Sequence, residues 1–229
     1  MSRNALFAIH EYVPEIGNSV LDAGMSVIAV EKKILNAAHS RAAFQRRIRV
    51  LSEHIGAMLG ADGTVLDLGC GDGSLAKAVM DRKPGLTFRG IDVFVRPHTA
   101  IPVEIFDGVT IPAASGSFDW VTIVDVLHHT DRPGDLVAEA ARVARKGVVI
   151  KDHLRDGSFA HGTLRFMDWV GNKGHDVRLP YNYLSKREWE AIFGQVGIKA
   201  RSWRENLSLY PFPANLLFDR GLHFVASLR

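Results

Sequence analysis

The stretch Val65-Leu66-Asp67-Leu68-Gly69-Cys70-Gly71-Asp72-Gly73 decides how the rest of the chain is read. Thr64 to Asp67 reads as a strand, glycines follow at alternate positions, and Ser74 to Asp81 carries a helical pattern. A strand that turns straight into a helix leaves backbone N–H groups facing an open crevice, and glycine lets a ligand come close to that backbone. α/β proteins hold nucleotide-like molecules in this way. Asp92 strengthens the reading: it closes the next strand, where an acidic side chain can accept hydrogen bonds from both hydroxyls of a ribose.

Working outward, Leu86 to Ile91 follows the Pro84-Gly85 turn as a second strand, and Pro102 to Phe106 reads as a third, ending in Asp107-Gly108. Phe118 to Asp125 is apolar nearly throughout, as expected of a central parallel strand covered on both faces. Val126-Leu127-His128-His129 then turns into a helix from Gly134 to Ala144, and Val148 to Ile150 forms a short fifth strand. This alternation predicts a doubly wound, mostly parallel sheet. Beyond Ile150 it stops. Lys151 to Tyr183 is rich in polar and aromatic residues and suits a substrate cap over residues 151–184, with a short helix at Leu164 to Val170 and a turn at Asn172-Lys173-Gly174. Ser185 and Glu188 have capping-box spacing at the head of another helix, and Ile198 to Trp203 and Leu222 to Leu228 read as closing strands.

Residues 1–60 read as a helical extension or lid before a domain over 61–229. Asn18 to Ala38 is helical in pattern. Arg41 to Leu59 carries a stripe of Phe44, Ile48, Leu51, Ile55 and Met58. Arg46, Arg47 and Arg49 lie largely off that stripe and read as a solvated basic face, with an anionic lipid surface or RNA as the alternative partner.

At the glycine stretch, at Gly90-Ile91-Asp92 and at Ser117-Phe118-Asp119 with its following Leu-His-His turn, the chain resembles the class I S-adenosylmethionine-dependent methyltransferases. The resemblance covers about residues 60–229. It implies a seven-stranded Rossmann-like sheet whose last strand is antiparallel, with S-adenosylmethionine as cofactor and a transferase activity. It places Asp67, Leu68, Gly69, Cys70 and Gly71 along the methionine portion, Asp92 and Val93 at the ribose, and Phe106, Asp107 and Gly108 by the adenine. Asp125, Val126, Leu127 and His129 would wall the cofactor, and His128 would face the acceptor. A dinucleotide-binding dehydrogenase is the structural rival, but its glycines follow G-x-G-x-x-G, and Ser74 stands where the third would fall.

Methyl transfer from a sulfonium releases a neutral leaving group, so the protein must align the reactants and add a base only where the acceptor has a proton to lose. His153, leaving the fifth strand beside Asp152, is the expected base. Phe166, Trp169, Tyr181 and Tyr183 make the cap apolar and aromatic, which suits a partly hydrophobic small molecule methylated at oxygen. RNA methylation and noncatalytic binding of the cofactor are the alternatives. Asp125, His128, His129, Asp152 and His153 could converge on a cation, yet the paired acidic cluster of metal-assisted relatives is missing, so no metal is expected.

The 229 residues, 47% hydrophobic and 23% charged, are those of a globular α/β protein. No apolar run spans a bilayer and the first residues lack a signal-peptide pattern, which leads to the expectation of a cytoplasmic protein. Cys70 is the only cysteine, which excludes an intrachain disulfide and a multi-thiolate zinc site. A net charge of +3 is too mild to imply nucleic acid. Peripheral lipid contact through the N-terminal helices remains an expectation.

Overall fold

The computed structural model describes residues 42–171 and 180–229. The helix expected over Asn18 to Ala38 and the turn at Asn172-Lys173-Gly174 lie outside them. The described chain forms a seven-stranded sheet in the order β3-β2-β1-β4-β5-β7-β6. Its strands are β1 (Asp62–Leu68), β2 (Gly85–Asp92), β3 (Val103–Ile105), β4 (Phe118–Val124), β5 (Ala144–His153), β6 (Ala200–Glu205) and β7 (His223–Leu228). The first five run parallel, and β7 lies antiparallel between β5 and β6. The antiparallel closing pair matches expectation. β5 is much longer than the expected Val148 to Ile150, and this extension proves decisive for the site.

Helix α1 covers residues 42–58. It is followed by α2 (Ser74–Arg82), α3 (Pro133–Val143), α4 (Ala160–Gly171), α5 (Lys186–Val196) and the short α6 (Asn215–Phe218). Alternation along the strands sends side chains to two cores. Val65, Phe88, Val149 and Val225 meet Leu51, Ile55 and Met58 of α1 and Ala76 and Val79 of α2. Leu66, Leu68, Val121, Ile123, Val148 and Ile150 meet Leu136, Val137 and Ala140 of α3 and Trp189 and Phe193 of α5. Helix α1 therefore belongs to the main core, although Phe44, expected in its buried stripe, is exposed. The expected capping box is present: Ser185 Oγ accepts from the Glu188 N–H at 3.3 Å, and Glu188 Oε2 accepts from the Ser185 N–H at 2.7 Å. Residues 93–102 and 106–117, which join β2 to β3 and β3 to β4, contain no helix. No helix among the described residues is long and apolar enough to cross a membrane.

Sheet order reverses between β1 and β4, since β2 and β3 lie to one side of β1 and the later strands beyond β4. That crevice, outside the carboxyl ends of the parallel strands, is where open α/β sheets bind ligands. Trp189 anchors the layer beneath it. Its ring is fully buried against Phe193 and Phe224, and Nε1 donates to the His153 carbonyl at 3.1 Å. Trp189→Ala is expected to cost about 3–5 kcal/mol, read as a lower urea midpoint at unchanged slope. A loss below about 1 kcal/mol would mean that the layer closes over the cavity.

Candidate active site

The glycine loop takes left-handed backbone at Gly69, Gly71 and Gly73, with φ of 70°, 59° and 72°. A side chain at Gly69 would also run into Val126, so this position requires glycine on two counts. The expectation of N–H groups open to a crevice is met only in part, because several of the loop's donors have partners within the protein. Gly69 and Cys70 donate to the Ile91 carbonyl at 2.8 and 3.4 Å, and Gly73 donates to the Cys70 carbonyl at 2.9 Å. Gly71 donates to Asp92 Oδ2 at 2.8 Å, and Ser74 to Asp72 Oδ1 at 2.9 Å. These donors are used within the protein. The loop is thus held largely by its own protein partners, while Gly73, the N-cap of α2, supplies no side-chain hydrogen bond to the helix's first turn. Asp92 has two tasks: Oδ2 holds the loop through Gly71, and Oδ1 accepts from the Phe94 N–H at 3.2 Å.

At the neighbouring strand ends, Val93 is exposed and lies against Gly108, bringing the expected ribose and adenine residues side by side. Asp107 makes a tight turn. Oδ1 accepts from the N–H groups of Val109 and Thr110 at 2.8 and 2.7 Å, which holds the carboxyl below its ordinary pKa. Both bonds fall on one oxygen. Phe106 is half-buried against the core beside it. Asp67 is buried under the loop and accepts from Thr122 Oγ1 at 2.6 Å. Burial pushes its pKa up to about 7, with the Asp92 charge adding to the effect and the Thr122 bond opposing it.

The long β5 carries charge into the interior. Lys151, on the side of the sheet that α1 covers, is 0% exposed, and its Nζ donates to Asp125 Oδ1 and contacts His223 Nδ1 at 3.4 Å. Arg47 of α1 reaches the other Asp125 oxygen. Asp125 adopts φ 57°, an unusual conformation for a residue with a side chain, and its N–H donates to the Lys151 carbonyl at 2.9 Å. Burial would raise the Asp125 pKa, but the Lys151 and Arg47 cations hold it well below the carboxylate range. Burial lowers that of Lys151. Arg46 meanwhile donates to the Ser208 carbonyl at 3.1 Å. The expected basic face of α1 is therefore corrected: two of its arginines bond back onto the domain.

On the other side of β5, Asp152 is fully buried and accepts from the Leu127 N–H at 3.0 Å and from His128 Nδ1 at 2.7 Å. It also accepts from the His153 N–H at 2.7 Å. His128 Nε2 lies 3.5 Å from Asp168 Oδ2, which also accepts from the Tyr183 hydroxyl. Burial would lower the His128 pKa, but Asp152 outweighs it and the net shift is upward. His153 moves the opposite way: burial, then the Lys151 and His128 charges, push it down to about 4. Asp152 is thus the closer partner of His128, and the expected base is the weaker of the two imidazoles. Ligand atoms of His128, Asp152 and His153 all lie within 4.8 Å of one another. Their contacts are already hydrogen bonds, and the Lys151 cation beside them opposes binding of a metal ion.

The cap residues divide. Tyr183 is buried and stacks on His128, with ring centroids 5.8 Å apart. Tyr181 lies 6.3 Å from Tyr183, and Asn182 between them donates from Nδ2 to the Thr130 carbonyl at 3.0 Å. Phe166 and Trp169 instead stand on the exposed side of α4, away from Leu164 and Asp168, which are buried. Sequence reasoning missed Arg47, Lys151 and His223. The available signal was Lys151-Asp152-His153 directly after an apolar run, because charges inside a two-sided strand demand partners.

The chain belongs to the methyltransferase-domain family, whose model matches residues 37–202. Its fold is that of the class I S-adenosylmethionine-dependent methyltransferases. A ubiquinone biosynthesis O-methyltransferase of Thiobacillus denitrificans is 35% identical over 95 residues, which are 36% of this chain and 40% of that protein. The counterpart in Hahella chejuensis is 33% identical over 36% of this chain and 39% of its own length, so the matched segment spans less than half of these curated relatives. Among solved structures, an S-adenosylmethionine-dependent methyltransferase from Mesorhizobium loti superposes with a TM-score of 0.55 at 17% identity, covering 76% of this chain and 94% of that one. At that identity the likeness speaks for the fold alone. The residues present fit S-adenosylmethionine: at Gly71 the nearest atoms to a would-be Cβ belong to the Arg96 side chain at 3.8 Å, which leaves room for close approach, and His129 Nδ1 is buried without a hydrogen-bond partner in the wall expected to flank it.

The folded pKa of His153 lies below the 6.5 of a free imidazole, so the unfolded chain takes up that proton first on acidification. Stability from this group is complete above pH 6.5 and is lost as the pH falls towards 4. His128, shifted upward, contributes in the opposite sense and is fully stabilising below 6.5. His153→Asn should therefore flatten the acid side of the stability profile by up to about 3 kcal/mol. Urea titrations at several pH values measure it, and a variant as acid-sensitive as the parent would contradict the assignment.

Proposed function

We propose that the protein transfers the methyl group of S-adenosylmethionine to a hydroxyl oxygen of a partly hydrophobic small molecule. The observation that carries this reading is the buried His128–Asp152 pair directly after the cofactor wall at Val126 and Leu127. Amine and thiolate acceptors attack without such help, whereas a hydroxyl must lose a proton, so a histidine backed by a carboxylate fits transfer to oxygen. The relatives that act as O-methyltransferases in ubiquinone biosynthesis support the same class of acceptor. Noncatalytic binding of the cofactor would leave that pair with a structural task only. RNA methylation finds less support, since Arg46 and Arg47 make bonds within the domain.

In this reading S-adenosylmethionine supplies an electrophilic methyl carbon with a neutral leaving group. The protein aligns and dehydrates. Gly69 and Gly71 admit the methionine portion, Asp92 meets the ribose while holding the loop, and Asp107 Oδ2 with Phe106 and Val93 meets the adenine. His128, oriented by Asp152, accepts the proton of the acceptor hydroxyl. His153 is too weak a base for that step, and Tyr181 and Tyr183 shape the acceptor side. Lys151 and Arg47 act through Asp125 and keep the turn into the wall in its left-handed form.

Calorimetry should show binding of S-adenosylmethionine and S-adenosylhomocysteine but not of NAD, and Asp92→Ala should lose both ligand contact and loop anchor. Binding of NAD alone would overturn the reading. Asp67, half protonated near pH 7, should release its proton when the ammonium of the methionine moiety arrives, so affinity rises with pH through that value. Titrations in buffers of different ionisation heat would reveal the proton, and Asp67→Asn should abolish it.

Turnover on a panel of phenols with and without alkyl chains tests the base. His128→Gln should lower kcat about 10²–10⁴-fold. The parent's rate should fall on acidification through the raised pKa of His128. A His128→Gln enzyme with full turnover, or a His153→Asn enzyme that loses as much, would remove His128 from the role.

A further inference from the structure

Helix α4 and the segment around α6, linked through Arg220, both carry large apolar side chains exposed to solvent. The helical period of α4 turns Ala160, Leu164 and Asp168 into the protein and leaves Arg165, Phe166 and Trp169 outward. Phe166 and Trp169 are 54% and 53% exposed, with ring centroids 6.4 Å apart. Around α6, Phe212, Leu216 and Leu217 are 78%, 60% and 58% exposed. Arg220 joins the two elements: Nε donates to the Leu217 carbonyl at 3.1 Å and Nη2 to Thr163 Oγ1 at 3.3 Å, one turn before Phe166. Single exposed apolar residues are ordinary, but this many large ones on linked elements mark a contact surface.

Its exposed charges are cationic, and the carboxylates on the same two elements are buried or half-buried. Arg165 and Arg220 are exposed. Of the nearest carboxylates, Asp168 is buried and accepts from Tyr183, and Asp219 accepts from the N–H groups of Leu209 and Tyr210 at 3.1 and 3.0 Å. We propose that this face docks on an anionic phospholipid surface, with the aromatic and leucine side chains entering the headgroup boundary and the two arginines meeting phosphates. A second copy is the poorer occupant, because a two-fold contact through this face would bring like charges together. The proposal does not rest on the methyl-transfer reading.

The test is co-sedimentation of the full chain with vesicles of phosphatidylglycerol mixed into phosphatidylcholine, against phosphatidylcholine alone. Binding to the anionic vesicles that weakens with salt is expected. Phe166→Ser combined with Leu217→Ser should lower the partition constant by at least about tenfold. Arg165→Gln combined with Arg220→Gln should lower it by about tenfold and flatten the salt dependence. Circular-dichroism melts confirm that each variant is folded. A parent chain that ignores anionic vesicles, or a folded Phe166→Ser/Leu217→Ser variant that binds like the parent, overturns the proposal. Concentration-dependent dimerisation abolished by the same substitutions, without vesicle binding, would assign the face to a second copy instead.

Discussion

The rest of the site depends on the cost of carrying Lys151, Asp152 and His153 into the sheet on one strand. A charge removed from water costs several kcal/mol unless partners replace its hydration, and removing one partner of a buried pair is worse than removing both. Strand alternation divides the problem. Lys151 goes to the α1 side, where Asp125, itself held by Arg47, receives it, and Asp152 goes to the α3 side, where Leu127 and His128 receive it. Each partner comes from another element, so the ends of β4 and β5, the turn between them and α1 are positioned together. Asp125 keeps its left-handed conformation because both carboxylate oxygens are committed.

The glycine loop shows how one backbone shape can serve different ligands. A strand–glycine–helix turn is common to dinucleotide and S-adenosylmethionine sites, and what separates them is where the N–H groups go. Here Ile91 and Asp92 of the adjacent strand take three of them, so the loop is stiffened by its neighbour rather than by a bound phosphate. The acid at the end of β2 therefore holds the loop with no ligand present, and its removal disturbs the floor of the crevice.

Much of this was legible in the sequence, and the failures have physical causes. The glycine stretch, Asp92 and the apolar run of β4 are local patterns with few alternatives, and they led to the sheet and the cofactor crevice. The capping box at Ser185 and Glu188 is equally local and was equally readable. Arg47 was not, because helical period shows which side of α1 a residue occupies but not what meets it there. Lys151 resembled the end of a strand, since charged residues ordinarily mark exposure; only pairing with β7 as well as β4 shows that β5 continues to His153. Roles for His128 and His153 could not be ordered from spacing, because their different burial partners set their opposite shifts.

The bond from Arg47 to Asp125 also redraws the unit that engineering or recombination could move. By sheet order the portable module would begin at β1, with α1 as dispensable decoration. A graft cut there would strand Asp125 with a single buried cation and strip Leu51, Ile55 and Met58 from the core beneath. The smallest exchangeable cassette therefore starts before Arg47, and homologous crossovers should be purged between α1 and β1.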